Sequence, residues 1–570
     1  MKIVVAKTAG FCMGVRRAVD LVLDASNLSK GPIYTYGPLI HNPQVLLMLE
    51  EKNIFKIDKI PEKGTGIVLV RAHGVPPEDE KALKTAGFTV INATCPRVVR
   101  VQVIIDRYAQ KGYSTIIIGD EKHPEVVGLL GYAKGKGHAI TSMEMFCALP
   151  KFEKVVVVAQ TTQDTAFYNK IKLWCKANAP HYKIFDTICG STEKRQAEIR
   201  KLAKENDAVI VVGGKQSGNT KRLAQIASQT GKPVTHIEDV SQIDYGKLSS
   251  ARSVAITAGA STPNWIINDA YNKIETNLQH QHVANTFLFF IRDFFLKTNI
   301  MVAMGAGSLT YACSMLQGVT QDYHHSLIAA LYVLSMQIIN NLFTIKSDKY
   351  NHPQRAHFYQ KNRIYLRALA IFSGGAGLYL SFTAGALSFF VLLIMSLLGL
   401  SYNLKIMSLP SKKGQIIKIK DIPGSKTILI TMAWGIVTCL LPAMTHQNGL
   451  LSVAMVFLFA TGLVFARTAF FDILAIQGDR ITGKETLPIL LGEKKSFEII
   501  KYVLLFAMGI IIISALTGIL IKKALFFAFI PLLLLLLIRF FKKDSLISGV
   551  HREFVIECLF LATGLLAIVI

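Results

Sequence analysis

GFCMGVRRAV at residues 10–19, ATCPRVVRVQ at 93–102 and TICGSTEKRQ at 187–196 repeat one local pattern. In each, a cysteine (Cys12, Cys95, Cys189) follows an apolar strand-like run and opens a stretch of helical period. Three such turns predict three thiolates gathered at one centre, and a centre with three soft protein ligands keeps a coordination position free for chemistry. Cys147, Cys175, Cys313, Cys439 and Cys558 share no such setting and read as small apolar residues.

Around these turns, KIVVA, IVLVRA, TVINA, TIIIGD, VVVVAQ, AVIVVGG and SVAITAG alternate with amphipathic stretches. Near-continuous apolar strands separated by helices predict parallel sheets covered on both faces. The spacing of the cysteines, 83 residues (95 − 12) and 94 residues (189 − 95), fits three α/β lobes around a central site. The polar residues of interest follow the carboxyl ends of these strands: His73, His123 with Glu125, Thr161 with Thr162, Ser217 with Asn219, and Ser261. In open α/β sheets that edge binds ligands.

Composition divides the 570 residues in two. Up to about Lys273 charge is mixed with short Val/Ile runs; from Asn285 to Ile570 stretches of membrane-spanning length dominate. The expected division is residues 1–277, a linker at 278–299 and a membrane half at 300–570. The opening MKIVVAKTAG reads as a strand and not as a secretory signal, which places the first half in the cytoplasm. Thiols stay reduced there, so metal ligation is favoured over disulfides. The formal charge of +25 sits largely in loops between apolar spans and points to membrane topology, not to nucleic acid.

Ser217, Asn219, Thr220 and Ser261 offer donors where helices begin, a setting that suits a diphosphate, although each taken alone also reads as a helix cap. His41, His73 and His123 lie in Gly/Pro-rich turns and match no zinc spacing, so hydrogen bonding to phosphate is the favoured reading over a metal site. Glu125 is the carboxylate of these turns that could deliver a proton, provided burial raises its pKa; a glutamate at a helix N-terminus is the plain alternative.

The set GFCMGVRRAV, YGPLIHNPQV, RAHGV, ATCPRVVRVQ, GDEKHPEVVG, AQTTQ, DTICGSTEKRQ, VGGKQSGNT and TAGASTP resembles the 4-hydroxy-3-methylbut-2-enyl diphosphate reductases of the methylerythritol phosphate route to isoprenoids, over residues 1 to about 277. The resemblance implies that Cys12, Cys95 and Cys189 hold a [4Fe-4S] cluster whose fourth iron lacks a protein ligand. It implies that His41, His73, His123, Thr161, Ser217, Asn219 and Ser261 surround the substrate, and that Glu125 delivers protons. The products would be isopentenyl and dimethylallyl diphosphate, with ferredoxin or flavodoxin as electron donor. Gly218 stands where the family often has Ser, leaving only its backbone N–H. The rival from another class is an iron–sulfur sensor or electron-transfer module with a non-catalytic membrane anchor.

In the second half, apolar segments near 300–317, 326–343, 364–382, 385–400, 427–443, 450–470, 502–519, 523–538 and 553–570 predict about nine transmembrane helices, preceded by an interfacial helix at 287–297. Basic residues gather in alternate loops, exemplified by Lys346, Lys405, Lys412, Lys413, Lys420, Lys494 and Lys542, and set those loops in the cytoplasm beside the first half. NNLFTIKSDKYNHPQR at 340–355 and DILAIQGDRITGKETLP at 472–488, with YNLKI, resemble the intramembrane prenyltransferases of the UbiA type. Asn340, Asp348, Asp472 and Asp479 would then hold Mg²⁺ against a prenyl diphosphate, with Arg355 and Arg480 on the phosphates. Asn341, Thr344 and Ala475 stand where that family commonly has Asp, which removes about three carboxylates and leaves an anchor as the second reading.

Overall fold

The computed structural model describes residues 2–29, 31–248, 251–279, 283–319, 321–403, 408–410, 416–418, 424–446, 449–484, 486–543 and 549–570. Lys405, Lys412, Lys413, Lys420 and most of YNLKI lie outside them, as does the side chain of Lys346. The chain divides into two compact units, Met1–Leu278 and Gln279–Ile570.

Twelve strands build the first unit: β1 (Lys2–Val5), β2 (Ile33–Tyr36), β3 (Ile54–Ile57), β4 (Ile67–Val70), β5 (Thr89–Asn92), β6 (Ser114–Ile118), β7 (Gly137–Ile140), β8 (Val155–Ala159), β9 (Lys183–Ile184), β10 (Ala208–Val212), β11 (Val234–Ile237) and β12 (Ser253–Ala258). They form three four-stranded sheets in the orders β3-β2-β4-β5, β7-β6-β8-β9 and β1-β12-β10-β11. Every pairing within these sheets is parallel. The three α/β lobes expected from sequence are present, with one refinement: the lobe of β1 is completed by the last three strands of the unit.

The continuous apolar runs follow from burial on both faces. In β8, Val155, Val157 and Ala159 pack with Tyr168, Ile171 and Cys175 of the helix Thr165–Asn178. Val156 and Val158 face the opposite core, with Val98, Val101 and Ile105 of the helix Pro96–Ala109. All five residues of β8 are fully buried, each worth roughly 1.5–3 kcal/mol of transfer free energy for a side chain of valine size. Parallel order sends all carboxyl ends of a sheet toward one edge, where the loops with polar residues begin.

The second unit is helical, and each of the nine apolar segments lies on a helix: Ile300–Leu316, Tyr323–Asn351, Arg363–Ala384, Ala386–Asn403, Ser425–His446, Leu450–Leu474, Glu493–Leu516, Lys522–Lys542 and Gly549–Val569. The expected count of nine spans is nevertheless reduced. Six of these helices are long and apolar enough to cross a membrane, or seven counting one bent pair, among the described residues. The apolar part of Ala386–Asn403 is short, about 25 Å against a hydrocarbon core of about 30 Å. Gly549–Val569 carries Arg552, Glu553 and Glu557.

The bent pair joins Phe290–Lys297 to Ile300–Leu316 at 74°. Asn299 makes the break: it adopts the left-handed conformation at φ 61°, and its side-chain amide donates to the Tyr359 hydroxyl at 2.6 Å. A large buried core, with Leu309, Ile328, Trp434, Val456, Phe459 and Phe527 among its members, ties most of these helices together, and a smaller one gathers Ile338, Tyr359, Leu366 and Ala370.

Candidate active site

Each of the three cysteines occupies the N-cap of a helix: Cys12 before Met13–Leu28, Cys95 before Pro96–Ala109 and Cys189 before Gly190–Glu205. Unpaired N–H groups and the positive end of the helix dipole favour thiolates there. The Val15 N–H donates to Cys12 Sγ at 3.5 Å.

The backbone fastens each cysteine to a strand-end loop. The Cys12 N–H donates to Ala260 O at 3.1 Å, the Cys95 N–H to Ala72 O at 2.9 Å, and the Cys189 N–H to Thr161 O at 2.9 Å. Ala260 precedes Ser261, Ala72 precedes His73, and Thr161 is itself a site candidate. Burial pushes the Cys95 thiol up, and the charges of Cys12 and Cys189 add smaller rises. The approach is close: a Cβ on Gly14 would stand 2.4 Å from Cys95 Sγ.

Sequence reasoning missed the cation of this centre. Arg195, one and a half turns into the helix that Cys189 caps, donates to Gly10 O at 2.7 Å and to Ala258 O at 3.1 Å. Burial lowers its pKa, while Cys12, Glu198 and Cys189 raise it. A buried guanidinium beside three thiols suits an anionic group. Three helix-capping thiols, a cradle that a methyl group would fill and a buried arginine fit an iron–sulfur cluster.

Beside the thiols the three histidines converge. Ring centroids are 4.7 Å apart for His41 and His73, 5.8 Å for His41 and His123, and 5.5 Å for His73 and His123. Burial lowers all three pKa values, most strongly that of His73, and His123 falls to about 4; Arg71 lowers each of them further. The imidazoles are therefore neutral near pH 7. His123 Nδ1 accepts the Glu125 N–H at 3.1 Å, so its single ring proton belongs on Nε2, where it is available to an anion.

Ser217 caps the helix Gly218–Ser228, and Ser261 Oγ lies 3.4 Å from Ser217 Oγ while donating to His41 O at 3.1 Å. His41 Nε2, His73 Nδ1 and both amide atoms of Asn219 are buried with no hydrogen-bond partner among the described residues. Orphaned buried polar atoms are costly, and a bound phosphate would satisfy the donors among them. A Cβ on Gly218 would reach His123 Nε2 at 3.5 Å, so this glycine borders the same pocket. Arg71 and Lys221, which sequence reasoning did not single out, add positive charge to the pocket.

Glu125 is 1% exposed. Its Oε1 accepts the Thr161 N–H at 2.6 Å and its Oε2 lies 2.9 Å from Thr161 Oγ1. Desolvation raises its pKa to about 7 against the lowering effect of these two bonds. All eleven site residues expected in the first half thus gather at one edge.

The membrane half has its own polar cluster. Buried Asp472 accepts from Lys426 Nζ at 2.9 Å and from Thr427 Oγ1 at 2.6 Å. Buried Asp479 accepts from Asn351 Nδ2 at 3.1 Å and pairs with Lys484 at 3.8 Å through Oδ1, whereas its Oδ2 has no partner among the described residues. Asp348 accepts from Thr344 Oγ1 at 2.8 Å. The charges of Asp472, Asp479 and Asp348 all act on Lys426. Asn340 is half-buried on the same helix as Asp348, and it is its neighbour Asn341 that bonds Asn299 and Tyr359, each at 3.4 Å. Arg355, expected on a phosphate, pairs instead with Glu553.

Residues 3–275 match the LytB protein family and residues 309–550 the UbiA prenyltransferase family. The first half is similar to the 4-hydroxy-3-methylbut-2-enyl diphosphate reductase of Aquifex aeolicus, 39% identical over 290 residues that cover 50% of this chain and 99% of that protein. It is 40% identical over 275 residues to the same enzyme of Citrifermentans bemidjiense, covering 48% and 97%. The solved structure of the E-1-hydroxy-2-methyl-but-2-enyl-4-diphosphate reductase from Plasmodium falciparum aligns with a TM-score of 0.46 and 29% identity over 48% of this chain and 87% of that one.

The Gly14–Cys95 approach gives a test of the thiol centre. Gly14→Ala sets a methyl group against Cys95 Sγ, so the anaerobically purified variant is expected to carry severalfold less iron and sulfide than the unaltered protein, with the same far-ultraviolet circular dichroism. Equal iron content would show that the close approach of Gly14 does not govern where Cys95 Sγ sits in the metal-bound protein.

Proposed function

Because this chain belongs to the LytB family of 4-hydroxy-3-methylbut-2-enyl diphosphate reductases, we propose that its first half removes the allylic hydroxyl of that diphosphate as water, with two electrons and two protons, to give isopentenyl and dimethylallyl diphosphate. The observation that carries the reading is the tie between each cysteine N–H and a loop of the pocket, which would set a metal centre beside the anion donors. Cys12, Cys95 and Cys189 would hold the [4Fe-4S] cluster, which when bound supplies a Lewis acid and a one-electron carrier.

The protein's own groups bind the substrate and move the proton. His41, His73, His123, Ser217, Asn219 and Ser261 hold the diphosphate, and their fixed donors orient it with little reorganisation. Binding an anion there raises the depressed histidine pKa values and draws protons into the pocket. Glu125, protonated below about pH 7, donates through Oε2 to Thr161 Oγ1, which frees the threonine hydroxyl proton for a substrate oxygen. An iron–sulfur sensor would have no use for the orphaned donors around His41, His73 and Asn219. Ferredoxin or flavodoxin supplies the electrons in this reading, an acidic partner for a basic chain.

The reaction needs the acid form of Glu125, so kcat falls as pH rises through about 7. Glu125→Gln is expected to lower kcat by about 10²- to 10⁴-fold and to abolish that limb of the profile, with the cluster absorbance unchanged. An unaltered pH–rate profile in the variant would remove Glu125 from the mechanism.

The membrane half is a prenyltransferase-like unit, and its basic loops support a place in the cytoplasmic membrane with the reductase half in the cytoplasm. Its charge set fits one Mg²⁺. Lys426 already neutralises Asp472, while Asp479 Oδ2 is buried and unpaired among the described residues, the atom that a cation would satisfy. Asp348 would contribute to the same charge. Such a site would draw in a prenyl diphosphate.

Membranes bearing the full chain are expected to retain a radiolabelled prenyl diphosphate in Mg²⁺, to release most of it in EDTA, and to lose the difference in Asp479→Asn. Retention that is absent under every condition would leave this half as the anchor of the reductase.

A further inference from the structure

The opposite end of the membrane half carries a second cluster. The helix Tyr323–Asn351 begins beside Asp322 and holds Asp348 near its other end; Ser425–His446 begins beside Lys426 and ends on His446. Spans of this length are about 33 Å long, so this cluster is remote from the candidate prenyl diphosphate site.

Three residues meet there, Asp322, His325 and His446, with their ligating atoms within 4.8 Å of one another. Asp322 and His325 are buried, and His446 is exposed. Asp322 is held from three directions. Its Oδ1 caps the helix by accepting the His325 N–H at 3.2 Å, and its Oδ2 accepts from Ser314 Oγ at 2.7 Å. The His325 ring presents Nδ1 to Asp322 Oδ1 at 2.8 Å.

That contact fixes the tautomer. With the Nδ1 proton on the carboxylate side, Nε2 carries the lone pair. Its neighbour is Thr445 Oγ1 at 3.3 Å, but the Thr445 hydroxyl gives its one proton to Pro442 O at 2.8 Å. With that proton on Pro442 O, the Nε2 lone pair is left for a cation in a part-buried site. His446 follows Thr445 in the chain, and its ring centroid lies 5.8 Å from that of His325. His324 takes no part: its ring meets Thr383 Oγ1 at 3.2 Å.

We propose that His325 Nε2 and His446 bind a divalent transition metal of the Zn²⁺ class, with Asp322 as the carboxylate that orients His325 and water in the remaining positions. Imidazole nitrogen selects such ions over Mg²⁺ and Ca²⁺, and a carboxylate behind a ligating histidine is the usual support of such a site. Exposed His446 gives the ion its entry from water. Occupancy clamps the start of one apolar span to the end of another and stabilises the bundle by mass action.

The test is a Co²⁺ titration of the full chain in detergent, cluster loaded, read by visible absorption and by the melting midpoint. The unaltered protein is expected to bind one equivalent more than His446→Ala and to gain thermal stability that this variant does not. Asp322→Asn is expected to weaken the same site about 10- to 100-fold. His446 is a surface residue, so its removal spares the fold, and the first-half histidines are common to both proteins. Equal stoichiometry and equal stabilisation in the unaltered protein and His446→Ala would overturn the proposal.

Discussion

Three backbone hydrogen bonds underlie the first half: Cys12 to Ala260, Cys95 to Ala72 and Cys189 to Thr161. Each lies at an N-cap, where the donor is free of helical pairing, and each ends on a loop that leaves a sheet at its carboxyl edge. A cysteine cannot drift from the pocket without breaking a backbone bond in a part-buried region. The sheets supply the stiffness behind this. Val155, Val156, Val157 and Val158 lock β8 between two cores, so the loop after β8, with Thr161, has little freedom.

The pocket concentrates buried polar groups, and their burial is informative. His41 Nε2, His73 Nδ1 and the Asn219 amide are buried without partners among the described residues, and the Glu125 carboxyl is desolvated, which costs free energy unless an anion engages the donors. Such an arrangement persists where a ligand recovers the energy. Neutral imidazoles and a protonated carboxyl also keep the site from repelling an anion, while Arg71, Lys221 and Arg195 add positive charge around it.

What the sequence revealed and what it hid follow burial. Seven strands buried on both faces or leading into site loops were readable as apolar runs. Of the five that were not, β3, β7, β9 and β11 are sheet edges, where IFKI, GHAI, KI and VTHI admit polar residues. The inner strand β2, IYTY, was hidden by its polar alternation. The cysteines, histidines and Glu125 were legible because turns announce them. Arg195, Arg71 and Lys426 were not, because a basic residue on a helix or strand end has no signature until folding sets an anion beside it.

The membrane count shows the same limit from the other side. Hydropathy tests a helix by its own residues, whereas a charge inside a bundle is judged by its partner. In Gly549–Val569, Glu557 is fully buried and accepts from Arg467 Nε at 2.8 Å, a residue 90 positions earlier on Leu450–Leu474. The same guanidinium lies 5.5 Å from the Trp434 ring and 5.1 Å from the Phe471 ring, so its hydration is replaced by aromatic faces and a carboxylate. Glu553 and Arg355 repeat the pairing. The two carboxylates that lower the hydropathy of Gly549–Val569 are thus directed into protein and not toward lipid, and a helix of this kind belongs to the bundle interior by its ion pairs.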